Sequence, residues 1–252
     1  MTVPALGLQL YTARNAGVSL DELLAAVAAA GYDGVETVGT QGVAPAALRE
    51  ALGRAELALA SAHVPLVELR RDLAGVAAAH RTLGTPLVVV PWLDAHERPT
   101  DVAGWAALGR ELAALGQALQ GEGLALAYHH HDFELSGPPG EEGLTVLADA
   151  ADPDHLTLEL DTGWLLASGH EPQRWLDAHG SRVTRLHLKD LEPGNDPPWV
   201  DVGDGVLELE AVLDAVRVHG VPWLVVEHDA PSDPLTTLRR SAEAARRALR
   251  QG

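Results

Sequence analysis

The chain has 252 residues, of which 46% are hydrophobic, with no cysteine and a formal net charge of −18. That length and apolar share describe a globular chain with a large core, expected as one barrel-sized domain over residues 1–252. The negative balance argues against nucleic acid and anionic membrane surfaces as partners, because phosphate binding needs a basic face. The missing cysteines exclude disulfides and thiolate metal sites.

The first stretch, MTVPALGLQLYTAR, lacks a basic region, and its apolar run is short and broken by Gly7, so no secretory leader is expected. No segment approaches the length of a transmembrane helix, and a cytoplasmic location is the expectation. Val3 to Tyr11 reads as a first strand. Ser19-Leu20-Asp21-Glu22 is a capping box that opens a helix with Leu20, Leu23, Leu24 and Val27 on one stripe. A strand at 34–37 ends at Glu36, a helix covers 45–54, and a strand at 57–63 ends at His63. A helix over 68–83 leads to a strand at 86–91 beside Trp92. The helix at 101–120 places Trp105, Leu108, Leu112, Leu115 and Leu119 on one face.

The fifth strand, 124–129, runs into His129-His130-His131, with Glu134 close behind. A weak helix at 141–150, a strand at 156–161, a short helix at 171–178 and a strand at 183–189 follow. A Pro- and Gly-rich loop is expected over 191–205. The chain closes with a helix at 208–219, a strand at 222–228 and a helix capped by Asp233 with Pro234 at its first position. Eight strands alternate with eight helices, without a linker or composition shift, which predicts an α/β (β/α)8 TIM barrel.

In such barrels chemistry sits at the C-terminal strand ends. Those ends carry Glu36, His63, Trp92, His129 to His131, Asp161, His187 with Lys189, and Glu227 with Asp229, whereas the strand beginnings are mostly apolar. Alternation along strand six puts Leu158 and Leu160 on one face and Thr157, Glu159 and Asp161 on the other, toward the lumen. The same argument turns Arg185, His187 and Lys189 inward, then Glu227, then His129 and His131, and turns His130 outward. Asp161, His187 and Glu227 therefore converge as a mixed oxygen and nitrogen set suited to one divalent cation such as Mn, Mg, Co or Zn. A fourth ligand is expected from strand five, either His129 or Glu134, and the gain from a third negative charge favours Glu134. Each residue alone has a plainer use: Asp161 before Thr162-Gly163 is also placed to cap a helix. Lys189 is the only lysine among eighteen basic residues, which points to a chemical use. His80, His96, His155, His170, His179 and His219 are read as surface residues.

Seven motifs, in order along the chain, carry a family likeness: GLQLYTAR, SAHVPL, YHHHDFE, LELDTGW, RLHLKD, VGDG and VVEHD. The chain resembles the xylose-isomerase-like TIM-barrel superfamily of sugar-phosphate isomerases and epimerases. The resemblance implies one divalent metal at the ends of strands five to eight and carries over to Asp161, His187 and Glu227. Ketose 3-epimerases of that group have a strand-five glutamate where this chain has Tyr128 or His129. The paired-histidine strand end looks more like the inosose dehydratase and keto-sugar branch.

The expected activity is metal-dependent isomerisation or epimerisation of an unphosphorylated keto sugar or polyol through an enediolate. The alternatives are dehydration of an inosose or keto sugar at the same site, and a non-catalytic sugar-binding barrel. His131 or His129 is expected as general base and Lys189 as partner of the developing oxyanion. Glu36, His63, Trp92 and Trp164 are expected to contact substrate. The partner is a small sugar or polyol, and a homodimer is compatible with the fold class.

Overall fold

A computed structural model of the protein describes residues 3–251; Met1, Thr2 and Gly252, the outer ends of the expected domain, lie outside the described residues. Eight parallel strands close a barrel: β1 (Ala5–Gln9), β2 (Gly34–Val38), β3 (Ala58–His63), β4 (Leu87–Val90), β5 (Ala125–His129), β6 (Thr157–Asp161), β7 (Val183–Leu188) and, after a short hairpin, β10 (Trp223–Val226). The ring closes where β1 pairs with β10 on one side and β2 on the other, in the registers Ala5↔Trp223 and Gln9↔Glu36.

The helices wrap the outside: α1 (Leu20–Ala29), α2 (Pro45–Arg54), α3 (Leu66–Leu83), α4 (Val102–Gly121), α5 (Gly143–Ala150), α6 (Thr162–Ala167), α7 (Pro172–His179), α8 (Leu209–His219) and α9 (Pro234–Gln251). The capping box at α1 forms as the sequence implies, with Ser19 and Glu22 each satisfying the other's backbone N–H. Two pieces were not expected: α6, which starts directly after β6, and the antiparallel hairpin β8 (Asp190–Leu191) with β9 (Trp199–Val200) inside the supposed loop. Among the described residues, no helix is long and apolar enough to cross a membrane.

Side-chain alternation divides the interior into two cores. Outward-facing residues such as Leu6, Leu8, Leu158, Leu160, Leu186 and Leu188 pack under the helices in one continuous cluster. Inside the barrel, Leu87, Val89 and Ala127 form a small apolar plug against β4 and β5. Ala125 and Ala127 share their facing with His129, so the strand that fills the lower lumen with methyl groups delivers an imidazole at its top.

The segment after β7 is held by one carboxylate. Buried Asp190 accepts the backbone N–H groups of Leu191 and Leu207 on Oδ1, both at 2.9 Å, and those of Gly203 and Gly205 on Oδ2. Gly203 adopts φ +93°, and a side chain on Gly205 would overlap the Leu191 carbonyl and Asp190 itself, which accounts for both glycines of VGDG. The fold of this segment sets Trp199 edge-on to Trp164, with ring centroids 4.7 Å apart, above the lumen.

Candidate metal centre and substrate cavity

Lateral strand register builds the site. Asp161 on β6 stands beside His187 on β7, which stands beside Val225 on β10, two residues before Glu227. His129, Asp161, His187 and Glu227 each present one ring nitrogen or carboxylate oxygen to a common point, all four atoms lying within 4.8 Å of one another. All four side chains are buried. His187 Nδ1 is 3.1 Å from Glu227 Oε2 and 3.8 Å from Asp161 Oδ2. Asp161 also caps α6, its Oδ1 accepting the Trp164 N–H at 3.0 Å, so one residue serves both uses open in the sequence.

The set fits a divalent cation. Asp161 Oδ2 and His129 Nδ1 are buried and make no hydrogen bond, although His129 Nδ1 lies 3.1 Å from Glu159 Oε1 without the alignment a bond requires. Buried polar atoms are ordinarily paired, and an orphan Asp161 oxygen converging with two imidazoles and a second carboxylate is what an ion would satisfy. The two carboxylates differ. Burial opposes ionisation of Glu227, but Lys189 and His187 outweigh it and hold the group well below the usual carboxylate range. Asp161 is pushed up to about 6 by burial, against the pull of Lys189 and His187.

Lys189 is fully buried with its Nζ 2.8 Å from Asp229, 3.0 Å from Glu227 and 3.5 Å from Asp161. Burial works against its charge, yet these three carboxylates raise its pKa above the usual lysine value. It is a fixed ammonium and cannot accept a proton at neutral pH.

Glu134, favoured from the sequence as fourth ligand, is placed elsewhere. Its Oε1 accepts the Tyr128 hydroxyl at 2.7 Å and its Oε2 accepts the His131 N–H at 3.0 Å. Tyr128 and His129 point to opposite faces of β5, so a carboxylate bound to Tyr128 lies away from the lumen. Burial lifts its pKa to about 7. His129 takes the position in the group instead. His130 faces away, as alternation implies, and its Nε2 accepts the Asp161 N–H at 3.0 Å.

Above the group opens a cavity of about 530 Å³, lined among others by Trp92, His129, His131, Trp164, Glu227 and Asp229. The His131 ring lies 4.6 Å from Trp92 and 5.1 Å from Trp164 between centroids. Burial and then the charge of Lys189 hold its pKa well below the usual histidine value. Arg14 is the exposed cation of the lining, and its guanidinium donates to the Tyr11 carbonyl at 2.9 Å and to the Asp229 carbonyl. Another groove, about 670 Å³, lies against α8 and α9 and contains none of these residues.

Two expected substrate contacts sit lower. Glu36 is fully buried and does not line the cavity. His63 reaches the cavity edge, but its Nε2 is 2.8 Å from both Glu36 Oε1 and Glu159 Oε1. Burial opposes a charge on His63, and Glu36 and Glu159 outweigh it, lifting the pKa to about 10. Gln9, Ser61 and Glu159 join this lower layer and were not singled out from the sequence. Glu159 had a signal, the same facing as Asp161; Gln9 and Ser61 had none beyond a strand position. His80, read as a surface residue, is buried against Thr85 with Nδ1 and Oγ1 3.0 Å apart.

The sequence profile described as xylose isomerase-like TIM barrel matches residues 24–251. The chain belongs to that family. Among its curated relatives, inosose dehydratase 2 of Bacillus cereus is 31% identical over 147 residues, covering 52% of this chain and 48% of that protein. The inosose dehydratase of Lacticaseibacillus casei is 27% identical over the same length. The chain thus matches about half the length of these curated relatives. Among solved structures, a sugar phosphate isomerase/epimerase from Parabacteroides distasonis superposes with a TM-score of 0.84 at 19% identity, covering 99% of this chain and 96% of that one. An IolI protein with a bound zinc atom gives a TM-score of 0.77 at 18% identity, covering 97% and 96%. At such identities the likeness is one of fold.

Proposed function

We propose that the protein is a divalent-metal-dependent lyase that dehydrates an unphosphorylated cyclic keto polyol of the inosose type. The observation that carries this reading is the four-residue group at the cavity floor with a separate, unligated imidazole, His131, on the cavity wall. The match to proteins named inosose dehydratase supports it, as does the zinc in the IolI relative. His129, Asp161, His187 and Glu227 would hold the ion. When bound, the cation supplies polarisation of the substrate carbonyl and acidifies the neighbouring C–H.

The chain's own residues supply the rest. His131 is neutral at working pH and takes the proton from the carbon next to the carbonyl. The C–H electron pair becomes the double bond to the β-carbon, an enol because the first carbon carries a hydroxyl, as the bond from the β-carbon to its own hydroxyl breaks. His131 returns its proton to the departing hydroxyl, which leaves as water. Ketonisation of that enol then places a solvent proton on the β-carbon. Lys189 adds a fixed positive charge beside the developing anion. Trp92 and Trp164 offer flat apolar walls for the C–H faces of a polyol ring. Arg14 is the one arginine or lysine among the described residues of the cavity lining, and two of its donors are held by carbonyls, which favours an unphosphorylated substrate.

Isomerisation or epimerisation is the second reading and shares the first proton transfer. Inversion at carbon needs a second proton carrier on the opposite face, and the carboxylates in the lining, Glu227 and Asp229, are both engaged by Lys189. The experiment is incubation of the metal-loaded protein with an inosose in D2O, followed by mass spectrometry. The expected product is lighter by one water and carries solvent deuterium. Exchange without water loss would favour the isomerase reading, and the absence of both exchange and water loss would contradict enzyme function on this substrate class.

A further inference from the structure

Beneath the four-residue group lies a charged layer that meets the cavity through His63. Its central contact is His187 Nε2, on the side of the ring opposite the metal-facing Nδ1, 2.8 Å from Glu36 Oε1. Glu36 is held in turn. Gln9 Nε2 donates to its Oε1 at 2.5 Å, and Ser61 Oγ donates to its Oε2. These anchors are lateral neighbours by register, Gln9↔Glu36 across β1 and β2 and Glu36↔Ser61 across β2 and β3. The second carboxylate of the layer, Glu159, is bonded to another partner, His63 Nε2, at 2.8 Å. Its Oε1 lies 3.0 Å from His187 Nε2 without forming an aligned hydrogen bond.

From this arrangement we infer that Glu36 is a positioning residue: it accepts the Nε2–H of His187 and so fixes that imidazole as an Nδ1 ligand of the divalent cation. A neutral imidazole carries one N–H, and the hydrogen bond it makes decides which nitrogen is left with a free lone pair. A carboxylate behind a ligating histidine also raises the basicity of the nitrogen that faces the metal. Glu36 does both from a site 151 residues away in sequence, and a side chain with no exposed surface and no path to substrate gains a use. Gln9 and Ser61 keep its two oxygens from rotating out of line.

The inference rests on the metal reading above, and the test separates the two. Zinc affinity is measured by competition with a chromophoric chelator for the wild type and for Glu36→Gln, with far-UV circular dichroism as the folding control. The same samples give long-range proton–nitrogen NMR spectra of the His187 ring, with and without zinc. Glu36→Gln is expected to weaken zinc binding about 10- to 100-fold, the range typical of lost partners behind a metal ligand. The wild type is expected to show a downfield, exchange-protected Nε2–H resonance, and Glu36→Gln is expected to remove it. Should Glu36→Gln fail to fold, Ser61→Ala, which frees one oxygen of Glu36, is expected to shift that resonance and weaken zinc in the same direction. A wild type that binds no zinc would defeat the metal reading, and the Nε2–H resonance would still decide the role of Glu36. Unchanged affinity with an unchanged resonance would overturn the inference. Two zinc ions per chain, one of them lost in His63→Ala, would also overturn it, by making the lower layer a cation site.

Discussion

His129 and His131 share a strand end and a lumen-facing alternation, yet the structure separates their uses. His129 joins three ligand atoms from β6, β7 and the end of β10, while His131 stands free between two tryptophans. Replacing His131 by Ala is therefore expected to cut the rate of water loss and deuterium incorporation by at least ~100-fold, as loss of a general base does. Ion affinity should stay at the wild-type level. His129→Ala should do the reverse first, weakening the ion in a chelator competition, and Glu134→Gln should leave the ion untouched. Equal loss of ion in His131→Ala and His129→Ala would show that the two imidazoles are not divided in this way. Sequence alternation carried most of this assignment, because side-chain direction along a strand is set by the backbone alone. It missed Glu134 for a related reason. Once β5 ends, the turn through Asp132 and Phe133 sets the direction, and that turn brings the carboxylate back to Tyr128 on the outer face.

At the scale of elements, the strand and helix alternation was legible to within a few residues at most ends, because each element carries its own period of apolar residues. What could not be read was structure that depends on distant partners. α6 has no apolar stripe long enough to announce it and exists because Asp161 caps it. The hairpin β8–β9 is organised by Asp190, whose four backbone donors come from one to seventeen residues away. His80 on α3 belongs to the same class, since its burial comes from packing and from Thr85 beyond the helix end. Burial lowers its pKa below the usual histidine value. The unfolded chain therefore binds a proton more readily than the folded one below about pH 6.5, and the stability of the neutral, buried form is lost as pH falls through that window. Comparing melting temperatures at pH near 7.5 and near 5.5 should give a smaller drop for His80→Gln than for the wild type. An identical drop would show that His80 is not part of the acid sensitivity.

For the molecule as a whole, the closed barrel sorts charge by depth. The charged side chains buried in the lumen stand in layers, with Arg185 lowest, the pair Glu36 and Glu159 with His63 above it, and the group of His129, Asp161, His187 and Glu227 at the top. The net charge of −18 did not foretell this sorting, since it sums over surface and interior alike. The central claim is that His129, Asp161, His187 and Glu227 form one divalent cation site on which the activity depends. Elemental analysis of the purified protein after zinc loading and exhaustive dialysis tests it most directly. One ion per chain in the wild type, and a substoichiometric amount in both His187→Ala and Asp161→Asn with the fold retained, is the expected result. A folded wild type that retains no ion, or variants that retain it in full, would contradict the account.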